Sequence, residues 1–404
     1  MNQSDNFFLS VSEAQQKIIH DIRPVTGYER VDLRHALGRI LAEDVSAKFN
    51  TPPEDNSGMD GYAFRSADIQ GNDSLELKLV GESFAGHPYQ GVVESGQAIR
   101  IMTGAKVPDS TDTVVMQEHT ETPSEDTLLI TMVPSAFANV RKTGDDLKTG
   151  ETLLSAGKKL SPTDLAFLAT QGIAEVTVSR RLKVAFFSTG DELRSIGEPL
   201  EEGQIFDSNR YSLYGLLKNL DLEIVDMGVI KDDRQAIEQA FETASSIADA
   251  VITSGGVSVG DADFVKETLE KLGQINFWKI AMKPGKPLAF GTLGESLFFG
   301  LPGNPVSVIA TFYQFVQPAL KRMMGEEIVL PLSIKAKTTE FLKKQPGRTD
   351  FQRGILEQSE DGELTVRNAG TQASHVLTAM SRANCFIVIP AESGSIEAGE
   401  MVDV

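Results

Sequence analysis

The sequence predicts an α/β and β multidomain protein, and three observations predict it. From Leu182 onward, short apolar runs at 184–187, 224–229, 250–252, 275–281 and 297–299 alternate with helical patterns. Such alternation argues a mainly parallel sheet with helices on both faces. Between Thr51 and Asp146 the texture is β instead, with Leu75, Leu77 and Leu79 alternating with Glu76 and Lys78. From Leu330, short runs at 332–336, 364–367 and 385–389 separated by turns predict a small C-terminal β domain.

The first elements are helical. Ser10-Val11-Ser12-Glu13 has the form of a capping box, and Ala14, Ile18, Ile19 and Ile22 recur at helical spacing until Pro24. Leu33, Ala36, Leu37, Ile40 and Leu41 predict a second amphipathic helix. The irregular loop 51–62 carries Asp55, Asn56, Ser57, Met59 and Asp60, and Thr103-Gly104-Ala105 and 141–146 are turns. Asp and Thr in turns commonly bond to nearby backbone, so such residues alone signal structure.

In the α/β part each strand runs into a polar loop. Ser188-Thr189-Gly190-Asp191-Glu192 follows the first, and Asp207-Ser208-Asn209 can cap a helix bearing Leu213, Leu216 and Leu217. Asp232-Asp233 precedes a helix face of Ala236, Ile237, Ala240 and Phe241. The stretch 249–263 combines an apolar strand with Ser254, Gly255, Gly256, Ser258, Gly260, Asp261 and Asp263, then a helix with Phe264, Val265, Leu269 and Leu272. Adjacent glycines leave backbone N–H groups uncovered, and helix starts hold unpartnered amides, so this is a place for an anion. Carboxylates beside it suit a bridging cation such as magnesium. Lys283-Pro284-Gly285-Lys286-Pro287 and Leu301-Pro302-Gly303-Asn304-Pro305 follow. Ligands bind beyond the carboxyl ends of strands in such sheets. Asp191, Glu192, Asp232, Asp261, Asp263, Lys283 and Lys286 are therefore predicted to converge on one edge.

Composition narrows the function classes. A formal net charge of -19, with no segregated basic run, argues against nucleic acid as partner. No apolar run is long enough to span a bilayer. Residues 1–9 lack the basic start and apolar core of a signal peptide, and Cys385 is the single cysteine, so a cytoplasmic protein without an intrachain disulfide is expected. The five scattered histidines and one cysteine give no zinc spacing. An anionic substrate would need a locally positive site, which makes the lysines of 283–286 informative.

Five motifs stand in one order: Ser57-Gly58-Met59-Asp60-Gly61-Tyr62-Ala63, Phe187-Ser188-Thr189-Gly190-Asp191-Glu192-Leu193, Ser254-Gly255-Gly256-Val257-Ser258-Val259-Gly260-Asp261, Lys283-Pro284-Gly285-Lys286-Pro287 and Leu301-Pro302-Gly303-Asn304-Pro305-Val306-Ser307. On these the chain closely resembles the MoeA family of molybdopterin molybdenumtransferases, the gephyrin E domain included, over nearly its whole length. It is also similar to the adenylylating enzyme of the same pathway. The resemblance implies an elongated homodimer of four-domain subunits. These are a discontinuous domain (1–50 with 147–180), a β-rich insertion (51–146), a MogA-like α/β domain (181–328) and a C-terminal small β-barrel (329–404). It implies that molybdenum from molybdate is inserted into adenylylated molybdopterin with release of AMP and dependence on magnesium. The pathway's adenylyltransferase is an implied partner.

Residue by residue, the resemblance ties Glu192, Asp232 and Asp263 to magnesium or water positioning, with Asp191 and Asp261 as further metal ligands. Lys283 and Lys286 would hold molybdate, and Ser307, Arg353 and Ser374 complete that pocket. Lys279, Pro302 and Pro305 match further family positions. Thr189, Gly190, Ser254, Gly255, Gly256, Ser258 and Gly260 would hold phosphates. Asp60, Thr103 and Asp146 would reach the neighbouring subunit's site. Gly58 stands where alanine is common in the family, and Phe264 where tyrosine is common. Other readings are a non-catalytic molybdopterin carrier or scaffold of the gephyrin type, a tungstate-inserting paralogue, and an adenylylating enzyme. The lysines would hold molybdate and tungstate alike.

Overall fold

A computed structural model of the chain describes residues 8–69, 71, 73–255, 264–326 and 330–404. They fall into two compact units. One comprises Asp32–Leu37 and Glu43–Val176; the other comprises Met1–Val31, Gly38–Ala42 and Thr177–Val404.

The smaller unit is built on a six-stranded sheet in the order Thr113–Met116, Gly61–Phe64, Gln97–Ile101, Leu75–Ser83, Thr127–Ile130, Thr120–Ser124. Its pairings are antiparallel except that of Leu75–Ser83 with Gln97–Ile101. Strand side chains alternate between faces. Tyr62 and Phe64 therefore pack with Leu77, Val115 and Leu128 on one face, while Ala63 joins Ile99 and Val114 on the other. The same unit carries the helix Pro162–Thr170, which starts on a capping box of Ser161 and Asp164.

The expected helix over 33–41 is not formed. Asp32 caps a single 3-10 turn, Leu33–Ala36, and the chain then breaks at Gly38, whose φ is 76°. Ile40 and Leu41 are buried, but Leu41 pairs as a β-bridge with Val178. Their apolar spacing records burial, which a bridge satisfies as well as a helix.

The larger unit carries the α/β sheet in the order Glu223–Ile230, Lys183–Thr189, Ala250–Ser254, Ser296–Leu301, Pro287–Leu293, Gly273–Lys279. The first four strands run parallel; Pro287–Leu293 runs against them, and Gly273–Lys279, antiparallel to it, returns to their direction. Val184 and Phe186 face the helices Val11–Asp21, Ser208–Lys218 and Gln317–Met324. Ala185 and Phe187 face Arg234–Ile247 and Phe264–Leu272. The antiparallel strand Pro287–Leu293 has no counterpart among the sequence-predicted strands. It opens with proline and contains Gly291, both loop signals. At Gly291 a Cβ would lie 2.0 Å from the carbonyl oxygen of Gln274, so the glycine serves close strand approach rather than a turn.

Beyond the sheet, five strands close into a barrel. Lys335–Thr338 pairs with Leu364–Asn368, which pairs with Thr349–Gln358; Cys385–Ile389 and Met401–Asp403 complete the ring. Ala336, Leu342, Val366, Ile387, Ile389 and Val402 fill it. The two-residue strand Met282–Lys283 pairs in parallel with the start of Thr349–Gln358. Through that pairing the barrel touches the loops at the carboxyl end of the sheet.

Candidate functional site

A cleft of about 700 Å³ opens where these loops meet. Thr189, Gly190 and Glu192 line it from the first parallel strand, Asp232 from the second and Gly255 from the third. Lys283 and Lys286 line it from the loop before Pro287–Leu293, and Pro302 and Ser307 from the segment after Ser296–Leu301. Ser374 reaches it from the barrel side, with Gln372.

Local bonds explain this convergence. Ser188 and Ser254 share a hydrogen bond of 2.8 Å between hydroxyls, tying neighbouring strand ends together just behind the cleft. Gly255 N–H donates to the Leu301 carbonyl at 3.1 Å. The lysine loop is closed by Ile280 N–H donating to the Lys286 carbonyl at 2.7 Å. Asn209, near the start of the Ser208–Lys218 helix, donates to the Gly303 carbonyl at 2.7 Å and so holds the Pro-Gly-Asn-Pro turn. Val306 N–H donates to the Ser374 carbonyl at 3.3 Å, bringing the barrel loop to the first turn of Pro305–Thr311.

The cleft lining carries both signs of charge. Loss of surrounding water, and then repulsion from Asp191 and Glu192, raises the Asp232 carboxyl above the ordinary aspartate range. A hard divalent cation relieves that repulsion, and carboxylate oxygens are the donors magnesium takes. Among the described residues no three acidic, histidine or cysteine side chains are gathered closely enough to hold a metal by themselves. Lys283, Lys286 and Arg348 bring positive charge to the same lining. Lys283 Nζ lies 3.6 Å from the buried carboxylate of Asp350, and Lys286 Nζ lies 5.2 Å from the centre of the Phe8 ring.

Other expected site residues lie elsewhere. Ser254 is buried beneath the cleft surface, and Pro305 opens its helix. Asp191 is exposed beside the cleft without lining it. Lys279 ends its strand, its carbonyl accepting from Leu9 N–H at 3.0 Å. Arg353 is 1% exposed and does not line the cleft. Its Nη2 donates to the carbonyls of Thr371 and Ala373, both at 3.2 Å, so it supports the loop that presents Ser374. Gly256, Ser258, Gly260, Asp261 and Asp263 fall outside the described residues.

Asp60, Thr103 and Asp146 belong to the smaller unit. Asp60 Oδ1 accepts from the Thr103 amide and hydroxyl, both at 2.7 Å, which holds the carboxyl below its ordinary range. Asp146 is exposed, with its N–H donating to the Thr51 carbonyl at 3.0 Å. Arg348 and Gln372 also line the cleft, and sequence reasoning gave neither a role. The signal for Arg348 was an arginine directly after Gly347, in a turn ahead of a strand.

Comparison with known proteins agrees with this architecture. Residues 9–172 match the MoeA N-terminal region (domain I and II), 185–322 a probable molybdopterin binding domain, and 335–404 the MoeA C-terminal region (domain IV). A molybdopterin molybdenumtransferase of Haemophilus influenzae is 47% identical over 397 residues, covering 98% of each chain. One from Nostoc is 38% identical over 383 residues, covering 93% of this chain and 87% of the relative. The crystal structure of the molybdopterin biosynthesis moeA protein from Pyrococcus horikoshii superposes with a TM-score of 0.85 at 31% identity, covering 98% of this chain and 99% of the other. With three regional matches in order and relatives aligned end to end, the chain belongs to the MoeA family of enzymes.

Proposed function

We propose that this protein inserts molybdenum from molybdate into adenylylated molybdopterin, with magnesium present and AMP released. One observation carries the reading: a single cleft holds carboxylates Glu192 and Asp232 together with the cations Lys283, Lys286 and Arg348. Both substrates are anions, and a chain of net charge -19 needs a local positive wall to receive them.

Glu192 and Asp232 would hold magnesium, with Asp191 nearby and with Asp261 and Asp263 as further candidates of the same sequence motif. When bound, magnesium neutralises charge at phosphate oxygens. The chain's own residues do the rest. The Gly190 and Gly255 segments bring backbone close to a bound phosphate. Lys283 and Lys286 supply point charge and donors for a tetrahedral oxyanion, and Ser307 and Ser374 add hydroxyls. Cleavage of the pyrophosphate linkage breaks one P–O bond; water supplies the new oxygen and AMP departs. Glu192 and Asp232 would orient that water. The same reading gives a cytoplasmic homodimer in which Asp60, Thr103 and Asp146 serve a second copy, and takes the pathway's adenylyltransferase as the donor of substrate.

Reconstitution tests the reading. Purified protein given adenylylated molybdopterin, magnesium and molybdate is expected to yield molybdenum-bearing cofactor that activates a molybdenum-free acceptor enzyme. Stable binding of the pterin without any cofactor formed would favour a carrier and sink the transferase reading.

A further inference from the structure

We propose that Asp350, a buried carboxylate at the start of barrel strand Thr349–Gln358, is the positioning residue that fixes Lys283 in the cleft, so that the barrel sets the oxyanion site. This role rests on the reading of the cleft as an oxyanion site.

The geometry is specific. Met282 and Lys283 pair in register with Thr349 and Asp350, and Thr349 N–H donates to the Ala281 carbonyl at 2.8 Å. The lysine loop is thus stitched to the barrel by backbone, and Lys283 stands opposite Asp350. The two charges are 3.6 Å apart, with the Lys283 side chain 49% exposed and that of Asp350 6%. An ammonium at the cleft wall therefore leans on a carboxylate that is out of reach of solvent.

Asp350 is itself fixed from behind. Its Oδ2 accepts from Gln352 Nε2 at 3.2 Å, and the same amide donates to the Lys343 carbonyl at 3.0 Å. Two buried cations, Lys344 and Arg353, feel the same negative charge. Lys344 is anchored by donating to the Ser393 carbonyl at 2.8 Å. The carboxylate has little freedom to move, and a buried charge left without its partner is costly.

Asp350 does not line the cleft, so its effect on a ligand passes through Lys283. A free lysine loses rotamer freedom when it closes on an anion; one already held against a fixed carboxylate loses less. Lys286 is steadied differently, against the Phe8 ring. Steadying both side chains before the anion arrives lowers the ordering cost of closing them on a tetrahedral oxyanion.

The test is a double-mutant cycle on the full chain, read by calorimetric titration with molybdate alone. Asp350→Asn is expected to weaken binding about tenfold in the native background and to have no further effect on Lys283→Gln. Asp350→Glu is expected to retain most of the affinity. Gln352→Leu, which frees Asp350 without removing its charge, gives a second route if Asp350→Asn does not fold. It too is expected to act only when Lys283 is present. Equal losses in both backgrounds would mark Asp350 as structural and overturn the role, as would native affinity in Asp350→Asn. No molybdate binding by the native chain would overturn the oxyanion reading itself, and the role with it.

Discussion

Asp249 illustrates at residue scale how this chain keeps a partly buried carboxylate charged. Burial raises its pKa, but Arg180 donates to both oxygens, at 2.8 and 2.6 Å, and the Lys183 amide adds a bond of 2.8 Å. Together they hold the carboxyl below the ordinary aspartate value of 3.8. A carboxylate with a depressed folded pKa stabilises the fold above its unfolded value, and that contribution is lost as pH falls through the folded value. Asp249→Asn is expected to cost about 1–3 kcal/mol near neutrality and much less in strong acid. Denaturant unfolding at the two pH values measures the difference. Gly285 makes a second case. Its φ is 103°, and a Cβ there would lie 2.7 Å from Thr311 Oγ1. Gly285→Ala is expected to displace the lysine loop and to weaken oxyanion binding about tenfold or more, with far-UV circular dichroism unchanged. Native affinity in that variant would mean the loop's conformation does not matter to the anion.

Glu192, Asp232, Lys283 and Lys286 were legible in the sequence because each follows a recognisable strand in a parallel sheet, where loops share one edge. Arg353 and Arg348 were harder to place. Arg353 lies inside a barrel strand, and period-two alternation does not say which loop a given face of a closed barrel meets. It supports the Ser374 loop from behind, while Arg348, in the turn before the strand, reaches the cleft.

At the scale of elements, packing across the α/β sheet dominates. Phe241 of the Arg234–Ile247 helix is fully buried between Phe187 and Phe298, with ring centres 5.2 and 5.7 Å away and edges turned to faces. Phe241→Ala removes the ring and leaves a cavity, so a loss of about 3–5 kcal/mol is expected in chemical denaturation. A loss under about 1 kcal/mol would show that the site refills by collapse. That helix was readable because Ile237, Ala240 and Phe241, of the expected face with Ala236, fall on one buried stripe, which Ala244 extends. Val11–Asp21 was readable for a second reason: its Ser10 and Glu13 make both bonds of the capping box. The 33–41 segment misled because five apolar residues at helical spacing served a 3-10 turn and a β-bridge. Pro287–Leu293 was missed because its proline and glycine look like punctuation, although both belong to an antiparallel strand.

For the whole molecule, the central arrangement is a strongly acidic chain that gathers cations at one cleft. The parallel sheet supplies Glu192 and Asp232, while the lysine loop is held to the barrel by register at Met282 and Lys283. Among the described residues no helix is long and apolar enough to cross a membrane. The division of the C-terminal barrel from the sheet was visible as a change of texture near Leu330. The closure of its five strands was not, since register between distant strands leaves no local mark. The most direct measurement is AMP release from adenylylated molybdopterin with magnesium, with and without molybdate, in the native chain and in Lys283→Gln/Lys286→Gln. Molybdate-stimulated release in the native chain, lost in the double variant, is the predicted result. Release that ignores molybdate, or stimulation that survives without both lysines, would contradict the assignment of this cleft to molybdenum insertion.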